Sequence, residues 1–411
     1  MNEYQDRAAR ILEKINELAS ISEDENCITR MFGTEKFIEG ADKVLEWMKE
    51  AGLNSRIDSI GNVRGKLLSN NPSAKTFVIA SHIDTVVNAG KFDGPLGVIM
   101  GLDLIEHLRQ SKISLPFHIE LIAFSDEEGV RFHTTYLGSK VVAGTFEKEL
   151  LEKRDSEGIT LEKAVVNMGG HVNKLFDDTI EDWLGYFEIH IEQGPVLYEK
   201  NIPVAVVDSI SAQRRVEIIF KGVAGHAGTV PMSMRNDALT CAAEFILTVE
   251  RLAVENDLVA TVGRLNIAHP ATNVIPGEVA LSLDLRSANE NILSSCYQAI
   301  KNNCDAICVR RHIGIEWKLV QETKSTSCDQ AMKELLARAI REAGYHPMYL
   351  VSGAGHDAVA ISKVSPVAML FVRCFKGISH NPAENVELDD IAQAIRVCDN
   401  FIRQLVNQNN G

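Results

Sequence analysis

The order of strand-like and helix-like segments changes once along the chain and then changes back, and this change limits the possible folds more than any other feature. In the first 125 residues, short apolar runs typical of buried strands alternate with segments whose apolar residues recur at helical spacing. Such alternation indicates an α/β sheet with helices on its faces. Over 213–321 the order is instead strand, helix, strand, strand, helix, strand, which is the ferredoxin-like arrangement of a small α+β domain.

The chain returns to its first pattern after this segment, with a helix over 329–343, two short apolar strands and a closing helix over 388–407. The last strands need a sheet to join. We therefore predict one α/β domain, formed by 1–212 and 322–411, that is interrupted by an inserted α+β domain at 213–321. Three consecutive domains are the alternative, and the length of 411 residues allows either arrangement.

Composition excludes several classes of function. The 56 acidic and 42 basic residues give a net charge of −14, which argues against a nucleic-acid binder. No apolar run reaches the ~18–20 residues that span a bilayer, so we expect no membrane segment. The first 14 residues, MNEYQDRAARILEK, lack the apolar core of a secretory signal. The eight cysteines are scattered, which favours reduced thiols and a cytoplasmic location.

Polar clusters follow the predicted strands of the α/β part. In open α/β sheets, ligands bind beyond the carboxyl ends of the strands. The clusters are His82 and Asp84 after TFVIA, Asp93 before a helix, Glu127 and Glu128 after FHIELIAFS, His190 in a strand-like run, and His380 after VAMLFVR. Imidazole and carboxylate are ligands that zinc and manganese accept. The sequence therefore predicts a metal site at one edge of the sheet.

Five of these side chains can hold two divalent ions if one carboxylate bridges them; the five are His82, Asp93, Glu128, His190 and His380. Two ions ~3.5–4 Å apart can activate one water and polarise a carbonyl group. Glu127 and Glu128 are adjacent and must point differently, so one can bind metal while the other acts as general base. Asp84 shares a face with His82 in an extended chain and can fix the tautomer of that imidazole.

Two arginines are candidates for capturing an anionic substrate, which the negative net charge would otherwise repel. Arginine suits a carboxylate because its planar group bonds through two nitrogens. Arg214 lies at the start of one predicted strand of the inserted domain, and Arg286 lies near the end of the alternating strand VALSLDLRS. An ion pair within the domain is the alternative interpretation of Arg286.

Seven segments resemble, in the same order, the dinuclear-metal amidohydrolases, a family that includes allantoate amidohydrolases, N-carbamoyl-L-amino-acid hydrolases and ureidoglycolate amidohydrolases. The segments are SHIDTVVNAGKFDGPLG, AFSDEEGVRFHTTYLGS, EIHIEQGPVL, GHAGTVPMSMRNDA, ATNVIPG, SGAGHDA and GISHNPAE. The resemblance covers nearly the whole chain and is greatest to the allantoate amidohydrolases. It implies a zinc-peptidase-like α/β catalytic domain, a ferredoxin-like insertion that acts as lid and dimerisation domain, and a homodimer.

The resemblance also implies roles for individual residues. One ion would be held by His82, Asp93 and His190 and the other by Asp93, Glu128 and His380, with Asp93 bridging and Glu127 as general base. His226, supplied by the partner subunit, would stabilise the oxyanion. A histidine in a loop without such a role is the alternative for His226. The substrate-binding residues would be Gln193, Arg214, Asn273, Arg286 and His356.

We therefore expect hydrolysis of a terminal ureido C–N bond of allantoate, a small ureido-carboxylate, with release of ammonia and carbon dioxide and formation of ureidoglycine. The reaction would use two Mn²⁺ or Zn²⁺ ions per subunit. N-carbamoyl-L-amino-acid hydrolase and ureidoglycolate amidohydrolase are the near alternatives, and a metal-dependent exopeptidase is a more distant one. A binding module that has kept the fold without catalysis would lack some of the ligands, whereas all five ligand types are present in this sequence.

Overall fold

The computed structural model describes residues 3–410, and over these residues the chain forms two compact units. The large unit comprises the described residues up to Asp208 together with those from Cys328 onward, and the small unit is Ser209–Ser327. The predicted insertion at 213–321 lies within the small unit. None of the helices in the described part of the chain is long and apolar enough to cross a membrane.

The strands of the described chain, in chain order, are β1 (Asn54–Ile57), β2 (Val63–Leu67), β3 (Thr76–His82), β4 (His118–Phe124), β5 (Trp183–Ile191), β6 (Val204–Ile210), β7 (Ala212–Lys221), β8 (Gly225–His226), β9 (Val259–Ile267), β10 (Val274–Ile275), β11 (Glu278–Ser287), β12 (Gly314–Thr323), β13 (Thr326–Ser327), β14 (Tyr349–Ser352) and β15 (Val367–Val372).

The α-helices are α1 (Glu3–Ala19), α2 (Glu35–Glu50), α3 (Pro95–Gln110), α4 (Leu137–Val142), α5 (Leu161–Asn167), α6 (Val196–Lys200), α7 (Ala238–Glu255), α8 (Glu290–Arg311), α9 (Gln330–Glu342), α10 (Ala358–Ile361) and α11 (Leu388–Asn409). Short 3-10 helices occur at Lys148–Glu152, Val172–Asp178, Met232–Met234 and Phe375–Gly377.

The large unit is built on a mixed sheet in the order β1-β2-β4-β3-β5-β15-β6, and β14 also pairs with β6. The four central strands, β4, β3, β5 and β15, run parallel to one another. Every residue of β3, β4 and β15 is buried, as expected for parallel strands covered on both faces. Because these strands are parallel, their carboxyl ends lie at one edge of the sheet.

Amphipathic helices cover the large sheet. Helix α1 buries Ile11, Ile15 and Leu18, the apolar residues whose spacing predicted it. The guanidinium of Arg7 bonds to Asp103 of α3 at 2.9 Å and to Asp399 of α11 at 2.5 Å, so three helices are joined by one buried cation. Burial of such a charge is tolerable only with paired partners of this kind.

The small unit contains an antiparallel sheet in the order β12-β7-β11-β9. In β11 the residues Val279, Leu281, Leu283 and Leu285 are buried in a core that also contains residues of α7 and α8, while the alternate residues are half-buried or exposed. Both helices therefore lie on one face of the sheet, and the strand order is that of a ferredoxin-like domain. The predicted fold class is confirmed.

Two helix boundaries in the small unit differ from the sequence prediction. Helix α7 begins at Ala238 rather than near 233, because the carboxylate of Asp237 accepts hydrogen bonds from two amides of its first turn. Helix α8 is Glu290–Arg311 rather than 288–307, and it ends where His312 adopts a left-handed backbone conformation.

Candidate active site

The candidate donors lie at the carboxyl edge of the large sheet, where the parallel strands end. His82 is the last residue of β3 and pairs with Phe124 at the end of β4, and His190 is the next-to-last residue of β5. Asp93 precedes Gly94, which has φ of 84° and is the N-cap residue of helix α3. A Cβ at Gly94 would lie 2.6 Å from the ring of His82, so only glycine lets Asp93 approach that histidine.

Asp93 lies between two groups of donors. Its Oδ1 is 3.6 Å from Nε2 of His82 and 3.2 Å from Nε2 of His190. Its Oδ2 is 3.3 Å from Nε2 of His380, which in turn is 3.4 Å from Oε1 of Glu128. The structure therefore brings together all five side chains that the sequence predicted as ligands, and it places the two Asp93 oxygens toward different partners.

The tautomers of two imidazoles test whether these groups suit a metal ion. Nδ1 of His82 lies 3.0 Å from the carbonyl oxygen of Asp84, and Nδ1 of His190 lies 3.0 Å from the carbonyl oxygen of Ile191. A carbonyl only accepts, so each Nδ1 donates and each neutral ring carries a lone pair on Nε2. Both lone pairs face Oδ1 of Asp93, so two imidazole nitrogens and one carboxylate oxygen lie close together without a proton between them. A cation bound among these three acceptors would satisfy them all.

Three groups of donors among the described residues have ligating atoms within 4.8 Å of one another. The first is His82, Asp93 and His190, the second is Asp93, Glu128 and His380, and the third is His82, Glu127 and Glu128. The first group is buried, whereas His380 of the second group is exposed. The donor set of imidazole and carboxylate suits zinc or manganese.

Electrostatic interactions with these imidazoles shift the pKa of Asp93. Burial alone would raise the pKa of this carboxyl, but the imidazoles of His190, His380 and His82, which donate to it when they are protonated, hold it well below its ordinary value. The hydrogen bonds of His380 with Asp93 and Glu128 raise the pKa of that imidazole to about 10. Asp93 is therefore an ionised carboxylate at neutral pH, as a bridging ligand must be.

Asp84 positions the two adjacent glutamates after β4. Its Oδ1 accepts a hydrogen bond from the backbone N–H of Glu127 at 3.0 Å, and its Oδ2 accepts one from Glu128 at 3.1 Å. Oδ1 also lies 3.4 Å from Nδ1 of His82. The predicted contact with His82 is therefore present, and the larger effect of Asp84 is on the backbone that carries Glu127 and Glu128.

Glu127 lies next to His82 and Glu128, with which it forms the third group of possible donors. One of its carboxylate oxygens is within 4.8 Å of ligating atoms of His82 and Glu128. Burial raises the pKa of Glu127 well above its ordinary value against the attraction of His82, and the negative charge of Glu128 adds to the increase. A buried glutamate with a shifted pKa next to possible metal ligands is a candidate for proton transfer.

Two loop residues near the site have strained backbones. Gln193 and His380 have φ of 55° and 53°, in the left-handed region that non-glycine residues seldom adopt. The side-chain amide of Gln193 donates to Oδ2 of Asp93 at 2.8 Å. With these backbone conformations, both side chains lie next to Oδ2 of Asp93.

His356 is buried next to the first donor group. Its ring centroid lies 4.5 Å from that of His190, and its Nε2 lies 2.7 Å from Oγ of Ser352. The segment is held by Glu188, whose Oε2 accepts hydrogen bonds from the hydroxyl of Tyr186 at 2.9 Å and from the amide of Ala358 at 3.0 Å. Burial lowers the pKa of His356 well below its ordinary value, so this imidazole is neutral.

His226 and Asn273 lie together in the small unit. Strand β8, which contains His226, pairs with β10, and the amide of Ala227 donates to the carbonyl of Asn273 at 2.9 Å. The amide of Gly228 donates to Nδ1 of His226 at 3.0 Å. The neutral ring therefore carries its proton on Nε2, and this side chain is exposed.

Arg214 and Arg286 lie on opposite faces of the small sheet. Arg214 pairs in register with the buried Leu285, and its guanidinium lies 4.8 Å from the ring centroid of Tyr297 on α8. Arg286 pairs in register with Gln213 on the other face, where its guanidinium bonds to Asp284 at 2.9 and 3.0 Å. The ion pair that was the alternative interpretation of Arg286 is therefore present.

The opposite faces limit what the two arginines can do together. Side chains on the two faces of one sheet point away from each other. Arg214 is engaged on the helix-covered face, where its Nε donates to Glu322 at 2.6 Å. The structure thus separates two residues that the resemblance assigned jointly to the substrate, and the surroundings of Arg214 favour a structural role.

Sequence reasoning missed two residues next to the donors. Ser379 donates to Oδ2 of Asp93 at 2.6 Å, and Glu384 accepts hydrogen bonds from the amides of Phe92 and Asp93. Both lie in the segment GISHNPAE, from which only His380 was predicted as a site residue. Their closeness to His380 in the sequence is the one feature that could have indicated them.

A parallel-sheet edge with imidazole and carboxylate donors beside a further glutamate is typical of metal-dependent hydrolases. A profile of the Peptidase family M20/M25/M40 matches residues 78–404, and the chain belongs to this family. The family is metal-dependent, in agreement with the buried donor group.

Relatives within the family support amidohydrolase activity. The chain is 37% identical to a probable allantoate deiminase of Oryza sativa subsp. japonica, over 95% of this chain and 87% of the relative. It is 35% identical to an N-carbamoyl-L-amino acid amidohydrolase of Geobacillus stearothermophilus, over 96% of this chain and 98% of the relative. A crystal structure of an amidase of the hydantoinase/carbamoylase family from Burkholderia multivorans superposes with a TM-score of 0.90 at 31% identity and covers 97% of both chains.

Proposed function

We propose that this protein is a metal-dependent amidohydrolase that cleaves a terminal ureido C–N bond of allantoate and releases ammonia, carbon dioxide and ureidoglycine. The observation that carries the proposal is the convergence of the imidazoles of His82, His190 and His380 on Asp93, with Glu128 and Glu127 beside them. The allantoate deiminase and carbamoyl-amino-acid amidohydrolase names of the relatives support the amide chemistry.

Two divalent ions per subunit, Zn²⁺ or Mn²⁺, are part of the proposal. His82, Asp93 and His190 would hold one ion, and Asp93, Glu128 and His380 would hold the other. When bound, such ions polarise the ureido carbonyl and lower the pKa of a water molecule. The two oxygens of Asp93 already point toward the two groups, which supports a bridging role for this carboxylate.

Glu127 would move the proton during the reaction. Its carboxylate would take a proton from the attacking water, and the oxygen of that water would bond to the ureido carbonyl carbon. The same carboxyl would then deliver the proton to the leaving nitrogen, so that the C–N bond breaks with departure of ammonia. The remaining carbamate would lose carbon dioxide. Asp84 accepts a hydrogen bond from the backbone amide of Glu127. This contact fixes the backbone of Glu127, while its side chain would move the proton from the water to the leaving nitrogen.

Residues of the small unit would bind the substrate. His226, supplied by the partner subunit of a homodimer, would donate its Nε2–H to the developing oxyanion, and its tautomer supports this role. Asn273 would bind the ureido group and Arg286 the carboxylate. Gln193 and His356 of the large unit would line the pocket. In this proposal the small unit acts as lid and dimerisation domain.

N-carbamoyl-L-amino acids are the second candidate substrates, because the second of the two relatives described above is named for that activity at similar identity. Allantoate differs from them in bearing two ureido groups on the carbon that carries the carboxylate. Discrimination between the two substrates therefore depends on protein groups that contact the second ureido group of allantoate. Hydrolysis of the ureido group itself is the same reaction in both.

A substrate panel tests the proposal. The purified protein, loaded with Mn²⁺, is assayed for ammonia release from allantoate, ureidoglycolate and several N-carbamoyl-L-amino acids, and for cleavage of dipeptides. Glu127→Gln, prepared in parallel, controls for contaminating activity. We expect the highest kcat/KM with allantoate. A higher kcat/KM for a carbamoyl amino acid or for ureidoglycolate would show that allantoate is not the preferred substrate. Peptide cleavage without ureido hydrolysis would refute the proposed class of reaction.

A further inference from the structure

Glu384 connects two loops of the large unit through consecutive backbone amides. It follows β15, its side chain is buried, and its Oε1 accepts hydrogen bonds from the amides of Phe92 at 2.7 Å and Asp93 at 3.1 Å. A carboxylate oxygen that holds two successive amides fixes the orientation of the peptide between them. Glu384 therefore fixes the backbone that carries Asp93.

Ser379 extends this contact to the side chain of Asp93. Its Oγ lies 2.6 Å from Oδ2 of Asp93 and 3.3 Å from Oε2 of Glu384. A hydroxyl has one proton to donate, and the shorter distance assigns it to Asp93. Since Gln193 donates to the same Oδ2 at 2.8 Å, the carboxylate plane of Asp93 is fixed by two donors on one oxygen.

Close packing allows Glu384 little freedom. A Cβ built on Gly90 would lie 2.3 Å from Cβ and Cδ of Glu384, so the absence of a side chain at Gly90 makes room for this carboxylate. The buried side chain of Glu384 therefore joins the loop that carries Asp93 to the loop that carries His380. These two loops supply two of the three donors in the second group.

We propose that Glu384 and Ser379 are positioning residues that orient Asp93 and thereby set the affinity of the site for divalent ions. This inference rests on the proposed metal site, since it concerns residues that act on its bridging carboxylate. Residues that hold a ligand by hydrogen bonds affect metal affinity by ~10–100-fold. Neither residue touches the substrate in this proposal, so the effect is on the ions rather than on the reacting groups.

The variants Glu384→Ala, Glu384→Gln and Ser379→Ala separate orientation from stability. In Glu384→Gln the amide oxygen still accepts from both backbone amides, and its NH₂ group can donate to Ser379, which keeps its proton for Asp93. Asp155→Ala is a matched control. Oδ1 of Asp155 also accepts from two backbone amides, those of Glu157 and Ile159, and its Oδ2 accepts from Arg131.

Affinity for Mn²⁺ and Zn²⁺ is measured on the full-length metal-free proteins by competition with a chelating dye, without substrate, together with the Tm of each metal-free protein. We expect Glu384→Ala and Ser379→Ala to bind the more weakly held ion about 10–100-fold less tightly. We expect Glu384→Gln to stay within about threefold of the wild type, because its hydrogen bonds are kept. Asp155→Ala should lower Tm with unchanged affinity.

Any one of four results would overturn the inference. Wild-type affinity in Glu384→Ala and Ser379→Ala would do so, as would an equal loss of affinity in Asp155→Ala. If Glu384→Ala fails to fold, wild-type affinity in Ser379→Ala alone suffices. A wild-type protein that binds neither ion would overturn the proposed function as well, whereas bound ions with unaffected variants would overturn this inference alone.

Discussion

The Nε2 atoms of His82 and His190 lie 3.5 Å apart, and neither can donate a proton to the other when both rings are neutral. Each ring already donates through Nδ1 to a backbone carbonyl, so the two nitrogens that face each other both carry lone pairs. Two lone pairs and a carboxylate oxygen of Asp93 directed at one another repel unless a cation or protons lie between them. A metal ion bound between the two rings and Asp93 would remove this repulsion.

Removal of metal should therefore lower stability. At 100 times its Kd, an ion that binds only the folded state adds ~2.7 kcal/mol to the free energy of unfolding. We expect the Tm measured by calorimetry to fall after dialysis against a chelator and to return on addition of Mn²⁺ or Zn²⁺. In His190→Ala the added ion should give a smaller increase. Identical Tm values with and without ions in the wild type would contradict a metal site.

Glu127→Gln should abolish turnover while both ions remain bound. The glutamine side chain is close in size but cannot accept the proton of the attacking water, and loss of a general base costs ~100–10,000-fold in kcat. Metal content of the purified variant, measured by mass spectrometry, is the control. Substantial ammonia release by this variant would refute the role of Glu127 as base.

Asp84→Asn should reduce both kcat and metal affinity. The amide oxygen can still accept the hydrogen bond of one glutamate amide, whereas the NH₂ group would face the other amide and repel it. We expect a loss of ~10–100-fold in kcat. The metal competition assay and steady-state kinetics measure the two effects separately. A variant that loses neither would show that Asp84 does not position these glutamates.

The two arginines should respond differently to replacement by alanine. Arg286→Ala should raise the KM for allantoate by ~10–100-fold, because a charged hydrogen bond contributes ~1.5–3 kcal/mol. Arg214→Ala should leave KM near the wild-type value and lower the free energy of unfolding by ~1 kcal/mol, since it removes an ion pair and a contact with Tyr297. An increase in KM for Arg214→Ala that matches that of Arg286→Ala would restore Arg214 to the substrate site.

Two inactive variants should complement each other if His226 acts across a dimer. In a mixed dimer of His226→Ala and Glu127→Gln, one of the two sites has both Glu127 and the partner's His226. Random reassociation of a homodimer then gives about a quarter of the wild-type activity. The variants are unfolded together, refolded and assayed, with each variant alone as control. No recovery, with dimers present on a sizing column, would place His226 outside the partner's site.

The sequence by itself determined much of the architecture. The spacing of Ile11, Ile15 and Leu18 predicted α1, and the order of strands and helices over 213–321 predicted the ferredoxin-like unit, because apolar periodicity reflects which face of each element is buried. The pattern gave no prediction for α4, α5 or β6. These elements are short or lack strong periodicity, and contacts with the rest of the large unit stabilise them.

The sequence likewise predicted the candidate site only in part. The sequence predicted the chemical types of the donors and their location at the ends of strands, since parallel strands bring their carboxyl ends to one edge. Only the tertiary structure decided that Oδ1 and Oδ2 of Asp93 face different partners, that Asp84 holds the amides of two glutamates, and that Glu384 joins two loops. It also placed Arg214 on the helix-covered face. Such facts depend on atomic distances between residues far apart in the chain, which local periodicity does not encode.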